Sequence, residues 1–307
     1  MAGFSTIAPV TPAGYLHTMN RILPALLLGV AACNGRRALP PLAPLPFPAD
    51  TVRSQAIAEG ITRHYIYSAR GPWAIHVLDL NLDRCETAVA VKGADKLEAR
   101  IRTSAMLNAL AVRTTVQGGV NADFFSLATG APTGLLIVDG RQFTPPSTNP
   151  VLAVDSTGIA RIATFDTSRG SLTPFYPRDA VGGRPMLVRD SIILPHLDSA
   201  GGVAFGKARH PRTAAGVGRG GRRLILAVVD GRQSPYSDGM SLNELAALML
   251  ALGARDAINL DGGGSSTLVY ADPASAGALR IANRPSDKEG ERAVGDALAI
   301  VNRCSAR

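Results

Sequence analysis

Residues 214–229 read Ala-Ala-Gly-Val-Gly-Arg-Gly-Gly-Arg-Arg-Leu-Ile-Leu-Ala-Val-Val, and the role given to the glycines decides the fold class. By letter, Gly216 to Gly221 match G-x-G-x-x-G. A dinucleotide-binding turn of that form must leave a strand and open a helix. Here the next apolar residues, Leu224–Val229, form a short unbroken run of the kind found in a strand buried on both faces. The glycines therefore turn a hairpin, and its arms are antiparallel.

Working outward, the same local pattern recurs. Ile61–Tyr67 and Trp73–Leu82 alternate around a Gly71-Pro72 turn. Val151–Val154 and Ile159–Thr164 flank Asp155-Ser156-Thr157-Gly158, while Leu187–Val188 and Ile192–Leu194 flank Arg189-Asp190-Ser191. Helical spacing is limited to Ser104–Val112 and Leu242–Leu252, with a weaker stretch at Asp95–Ile101. Hairpins with a few interposed helices predict an α+β fold, a largely antiparallel mixed sheet with packed helices in one domain.

Composition narrows the class. The chain has 307 residues, 46% hydrophobic and 18% charged, enough for a sizeable core. Its Gly (32) and Pro (21) content falls short of low-complexity sequence. The net charge of +8 is carried almost wholly by arginine, since only Lys92, Lys96, Lys207 and Lys288 are lysines. The arginines are scattered in ones and twos without an aromatic stripe, which argues against nucleic acid as a partner.

The N-terminal segment reads as an export signal. Residues 1–18 have no periodicity, and Met19 is a candidate true start. Arg21 precedes the apolar run Ile22–Ala32, which ends in Val30-Ala31-Ala32-Cys33. The small-small-Cys ending resembles a bacterial lipobox, with Cys33 as the lipid anchor to a membrane. Residues 34–54, with prolines at 40, 41, 44, 46 and 48, read as an extended tether, and 55–305 as the folded domain. The expected location is the cell envelope, as a periplasmic or outer-membrane lipoprotein. Cys85 and Cys304 are then either reduced thiols or a disulfide, which would contribute roughly 4–5 kcal/mol through loop entropy.

Polar and glycine-rich signals gather in five places: Gly118–Phe125, Pro211–Gly216, Val229–Arg232, Ala257–Ser266 and Asn283–Asp287 with Glu291-Arg292 behind it. The run Asn259-Leu260-Asp261-Gly262-Gly263-Gly264-Ser265-Ser266 is the most specific. Consecutive glycines leaving a strand allow close backbone approach to a ligand, and their N–H groups can cradle an anion. Candidate catalytic carboxylates are Asp261, Asp230 and Asp123. Asp261 either acts on a substrate or caps the glycine turn. Arg212 and Arg232 are candidate phosphate ligands or strand-end ion pairs, with Thr213 beside the first. Asn121 and Asn259 either bind sugar hydroxyls or satisfy turns, and Phe124 or Phe125 offers a platform. Glu244 is placed with the catalytic candidates, yet Ser241-Leu242-Asn243-Glu244 has capping-box spacing. Among the histidines only His210 stands near these segments. No metal-ligand spacing is present; calcium or magnesium held by acids and carbonyls is left open, and no other cofactor is implied.

The pieces NADFF (121–125), PRTAAG (211–216), VDGR (229–232), LNELAALMLALGARDAINLDGGGSST (242–267) and NRPSD (283–287) occur in an order that resembles the phosphodiester glycosidase family. The resemblance runs from about Gly71 to Val301. It implies hydrolysis of a sugar-1-phosphodiester at the anomeric carbon, with a glycan or sugar phosphate as substrate and an exported location. A non-catalytic phosphoglycan-binding lipoprotein using the same cleft is the alternative. No G-x-S-x-G elbow supports a serine hydrolase.

Overall fold

The central strands are apolar on both faces because each face is covered. In Arg223–Val229, Leu224, Leu226 and Val228 face one core, while Ile225, Ala227 and Val229 face another. The computed structural model describes residues 42, 44–82, 86–92, 99–166, 172 and 175–303. Within them every strand pairing is antiparallel. An eight-stranded sheet runs in the order 51–58, 61–68, 73–81, 223–229, 212–217, 256–259, 186–189, 192–193. A five-stranded sheet has the order 278–281, 268–272, 115–121, 296–302, 86–92. A third sheet, also five-stranded, is built around Pro150–Val154 and Asp179–Gly182.

The three sheets close on one core, to which Leu78, Leu226 and Ile258, Val120 and Leu298, and Leu152 and Val181 contribute in that order. Helix Leu242–Ala251 covers the outer face of the large sheet through Leu245, Leu248 and Met249. Helix Thr103–Ala111 covers the second sheet through Met106 and Leu107. Gly119 lies under that helix and against strand 296–302, where a Cβ would overlap Leu298 O and stand 2.9 Å from Leu107 Cδ2.

The expected α+β class and both stronger helices agree with these elements. The glycine-rich turn joins two antiparallel strands, with Gly218 N donating to Arg223 O at 2.9 Å. The start of the folded part needs correction. Residues 44–54, read as the end of a tether, belong to it: Phe47 lies 4.7 Å from the Trp73 ring, Pro48 O accepts from Ser68 Oγ at 2.8 Å, and Thr51–Ala58 is a strand. The proline-rich composition does not oppose this, since an edge segment can pack without ladder hydrogen bonds. The signal segment 1–33, Cys33, Cys85, Cys304 and most of Asp95–Ile101 lie outside the described residues.

Gly119→Ala is expected to destabilise the protein by about 1–3 kcal/mol through overpacking, first against the backbone of strand 296–302 and then against the helix. A urea titration checks this; an unchanged midpoint would show that strand and helix both yield to the methyl group.

Candidate active site

Asn121 ends strand Thr115–Asn121 at the rim where the two main sheets meet, and it is fully buried. Its Oδ1 accepts from Thr213 Oγ1 at 2.8 Å and from Thr267 N at 3.1 Å, and its Nδ2 donates to Asp261 O at 2.7 Å. One carboxamide thus joins NADFF, PRT and the glycine-rich loop. Thr213 is drawn in by the same bond. Both side chains are fully buried and hold other segments in place.

Asp261 follows strand Asp256–Asn259 and is partly exposed. Its Oδ1 accepts from Gly262 N at 3.0 Å. Burial raises its pKa to about 6, opposed by Ser265, the Gly262 amide and the charges of Arg292 and Arg184. Behind it lie two buried acids, Asp123 and Asp296. Asp123 N donates to Asp296 Oδ1 at 2.8 Å, and Asp123 Oδ2 accepts from Gly134 N at 2.6 Å. Gly134 and Gly182 press on that carboxylate: a Cβ on either would stand 2.5 or 2.7 Å from Asp123 Oδ2. Burial, and to a smaller extent the Asp261 charge, hold Asp123 at about 7. Asp296 is pushed well above the usual carboxylate range, first by burial and then by Asp123. The arrangement is one accessible carboxylate over two acids that resist ionising together.

Asp230 has a different task. Its Oδ1 accepts from Asn283 Nδ2 and Arg284 N, both at 3.0 Å, and its Oδ2 accepts from Tyr236 Oη at 3.0 Å and contacts His76 Nε2 at 3.2 Å. Oδ1 holds the 283–287 loop and Oδ2 is taken by Tyr236 and His76, so this buried carboxylate, expected as a catalytic candidate, is engaged in positioning. Asn283 Nδ2 also donates to Ser266 O at 3.0 Å, locking that loop to the glycine-rich one. Gly264 lies against the Asp287–Arg292 ion pair, which is 2.8 Å long.

Glu244 is a capping residue. Its Oε2 accepts from Ser241 N at 2.9 Å, its N donates to Ser241 Oγ at 3.2 Å, and Arg209 pairs with it at 2.5 Å. Its catalytic candidacy ends there. Arg212 is also spent differently from expectation. Strand alternation turns it away from the sheet interface, where Nε donates to Met240 O at 2.9 Å and Nη2 to Phe205 O at 2.5 Å and Ala208 O at 3.2 Å. Burial, then the neighbouring Arg232 charge, lowers its pKa to about 10.

Arg232 stays exposed and takes a left-handed backbone, φ 58°. Its guanidinium borders Gly263, where a Cβ would lie 3.2 Å from Nη1, and Nη2 donates to His210 Nδ1 at 3.2 Å. His210 Nε2–H then faces Ala204 O at 2.8 Å, which fixes the neutral tautomer; burial lowers its pKa. Among the described residues, Arg184, Arg212, Arg232 and Arg284 make no ion pair with a carboxylate. Asn259 donates through Nδ2 to Arg184 O at 2.7 Å, whereas Asn259 Oδ1, Ser266 Oγ and Asp296 Oδ2 are buried without a partner. Phe124 lines a cleft beside Asp123 together with Arg184, and Phe125 packs into the core under helix Thr103–Ala111. No group of three His, Cys, Asp or Glu side chains converges as a metal would need among the described residues.

Asp296 and Arg184 escape the sequence reading. A lone acid opening the apolar run Ala297–Val301 was the available signal for the first, and Gly182-Gly183-Arg184-Pro185 for the second.

The model of the family described as Phosphodiester glycosidase matches residues 114–301. A hypothetical protein from Synechocystis superposes with a TM-score of 0.64 at 16% identity, covering 84% of this chain and 64% of its own, so the chain spans less than two thirds of it. The zebrafish N-acetylglucosamine-1-phosphodiester alpha-N-acetylglucosaminidase catalytic domain, auto-inhibited by its pro-peptide, gives 0.61 at 21%, covering 82% of both chains. A candidate exported protein from Burkholderia pseudomallei gives 0.60 at 18%, covering 85% and 98%. At such identities the likeness is one of fold. No curated protein matches the chain. The matched span is more than half of the 307 residues and holds the Asn121, Asp123, Asp261 and Asp296 constellation, and the chain belongs to the phosphodiester glycosidase family.

Proposed function

We propose that the protein hydrolyses a glycosyl phosphodiester at the anomeric carbon, outside the cytoplasm. The observation that carries this reading is a partly exposed carboxylate, Asp261, on which the charge of Arg184 acts, with Arg232 beside the same glycine-rich loop; among the described residues neither guanidinium makes an ion pair with a carboxylate. The C1–O bond breaks with its electron pair going to the phosphate, and water supplies the hydroxyl that ends on C1. A diester carries one negative charge and the departing monoester carries two. Arg184 and Arg232 therefore hold the leaving group more strongly as the bond breaks, which is the differential binding that lowers a barrier. Asp261 faces the sugar, where an ionised carboxylate supports the oxocarbenium-like centre and takes the proton from water. Asp123 and Asp296 lie beneath it, and its own burial raises its basicity.

The envelope location is supported by the reading of residues 19–33 as a signal ending at a lipidated Cys33, and by the family relationship. No helix among the described residues is long and apolar enough to cross a membrane.

Asp261→Asn is expected to lower kcat on UDP-N-acetylglucosamine or an aryl glycosyl phosphate by roughly 10²–10⁴-fold. In the unaltered protein kcat/KM rises with pH through about 6, where Asp261 ionises. Full activity in the variant would remove Asp261 from the reaction.

Stability has the opposite slope. The Asp123 pKa is raised from 3.8 to about 7, so its contribution is complete below the unfolded value and is lost as pH rises through 7. Thermal melts should fall between about pH 4 and 7 and level off above, and Asp123→Asn should flatten that fall; an equally steep fall in the variant would place the effect elsewhere. Finally, Cys33→Ser should move the protein from the membrane to the soluble fraction of envelope extracts, and persistence with the membrane would refute the anchor.

A further inference from the structure

Beside the carboxylates lies a cleft of about 550 Å³, lined by Phe124, Arg184, Pro185, Gly201 and Phe205. That size falls in the range of small-ligand sites. Phe124 directly follows Asp123 in the chain. Arg184 closes the near end, its guanidinium carbon 4.7 Å from the Phe124 ring centre, and its charge acts on both Asp123 and Asp261. The Phe205 ring forms the opposite wall, edge-on to Phe124 with centres 6.0 Å apart. Buried Arg212 supports that wall from 4.9 Å, and it is fixed in turn by Phe205 O. The cleft thus begins where the carboxylate site stops, with Arg184 as the shared boundary.

We infer that this cleft is the subsite for an aliphatic alcohol esterified to the substrate phosphate, so that the protein acts on glycosyl phosphodiesters of lipid-like alcohols. The inference rests on the reading of the Asp261 site as the place where the anomeric bond is cut. A phosphate on Arg184 directs one ester oxygen towards Asp261 and the other into the cleft. Arg184 contributes the sole polar side chain of the lining. A sugar or nucleobase would have its polar groups desolvated there without side-chain partners, which is unfavourable, whereas an alkyl chain meets apolar walls. Apolar surface continues on the two segments that carry the phenylalanines: Leu127 is 72% exposed in the loop after Phe125, and Val203 is 64% exposed on the short helix Val203–Gly206 that bears Phe205. An amphiphile with its anionic head at Arg184 and its chain along Phe124 and Phe205 matches this distribution of charge and apolar surface.

The test uses the full chain and three esters of N-acetylglucosamine 1-phosphate, those of decanol, methanol and glycerol. The decyl ester should be cleaved with at least ten-fold higher kcat/KM than the methyl ester, the gain residing in KM, and the glyceryl ester should resemble the methyl one. Phe205→Ala should bring the decyl-to-methyl ratio towards one; should it fail to fold, Phe124→Ser, at a partly exposed ring, makes the same comparison. Equal rates on decyl and methyl esters, or a preference for the glyceryl ester, would overturn the subsite. If none of the esters is cleaved, the hydrolytic reading fails on its own. Calorimetric binding of decyl phosphate and methyl phosphate, below the micellar range, then decides the cleft. At least ten-fold tighter binding of decyl phosphate, lost in Phe205→Ala, supports it, and equal affinity overturns it.

Discussion

The carboxamide of Asn121 is the joint on which the site depends. It is buried at the end of a strand of one sheet, accepts from a threonine in the other, and donates to the backbone carbonyl of Asp261. An amide has two donors and two acceptor lone pairs in fixed geometry, so few other side chains could serve these partners at once. Leaving buried polar groups unpaired is costly. The register between the two sheets and the height at which Asp261 stands above Asp123 are therefore set together, and the glycine-rich loop follows from where Asp261 is held.

Around that joint, charge is distributed unevenly in depth. Carboxylates occupy the floor, where burial keeps them partly protonated, and guanidinium groups occupy the rim. Elsewhere the same residue types neutralise one another, as in the Arg223–Asp79 and Arg178–Asp179 pairs, each 2.6 Å long. At the rim Arg292 is paired with Asp287, whereas Arg184 and Arg232 make no ion pair with a carboxylate among the described residues, so their charge is free to act on a ligand.

Local features were legible in the sequence and distant ones were not. The hairpins at 151–164 and 214–229 were readable because turn chemistry and both arms lie within a few residues. Strand Thr115–Asn121 was not, since Gly118 and Gly119 look like loop residues; they admit the backbones of the two flanking strands and, at Gly119, Leu107 of the helix, which only packing reveals. At the site, the asparagines, glycines and Asp261 announced themselves as a run. Asp296 did not, because its partner Asp123 is 173 positions away. Arg212 shows a further limit. The alternation that opposes it to Thr213 is visible in the letters, but which face of the strand meets the site is a property of the whole sheet. Glu244 followed its local spacing, and the capping box described its contacts correctly.

Strand Asp296–Asn302 sits between Thr115–Asn121 and Glu86–Lys92, although it is the last strand of the described chain. A ribosome therefore delivers an inner strand of that sheet, and one of the three clustered acids, only after the strands on either side of it have been made. Until then two earlier strands lack their common neighbour and the acid pair is incomplete. Folding must wait for pairings of high sequence separation, which are slow to form. The nascent chain accordingly lacks the third clustered acid until Asp296 has been made, and the two waiting strands stay open to chaperones until then.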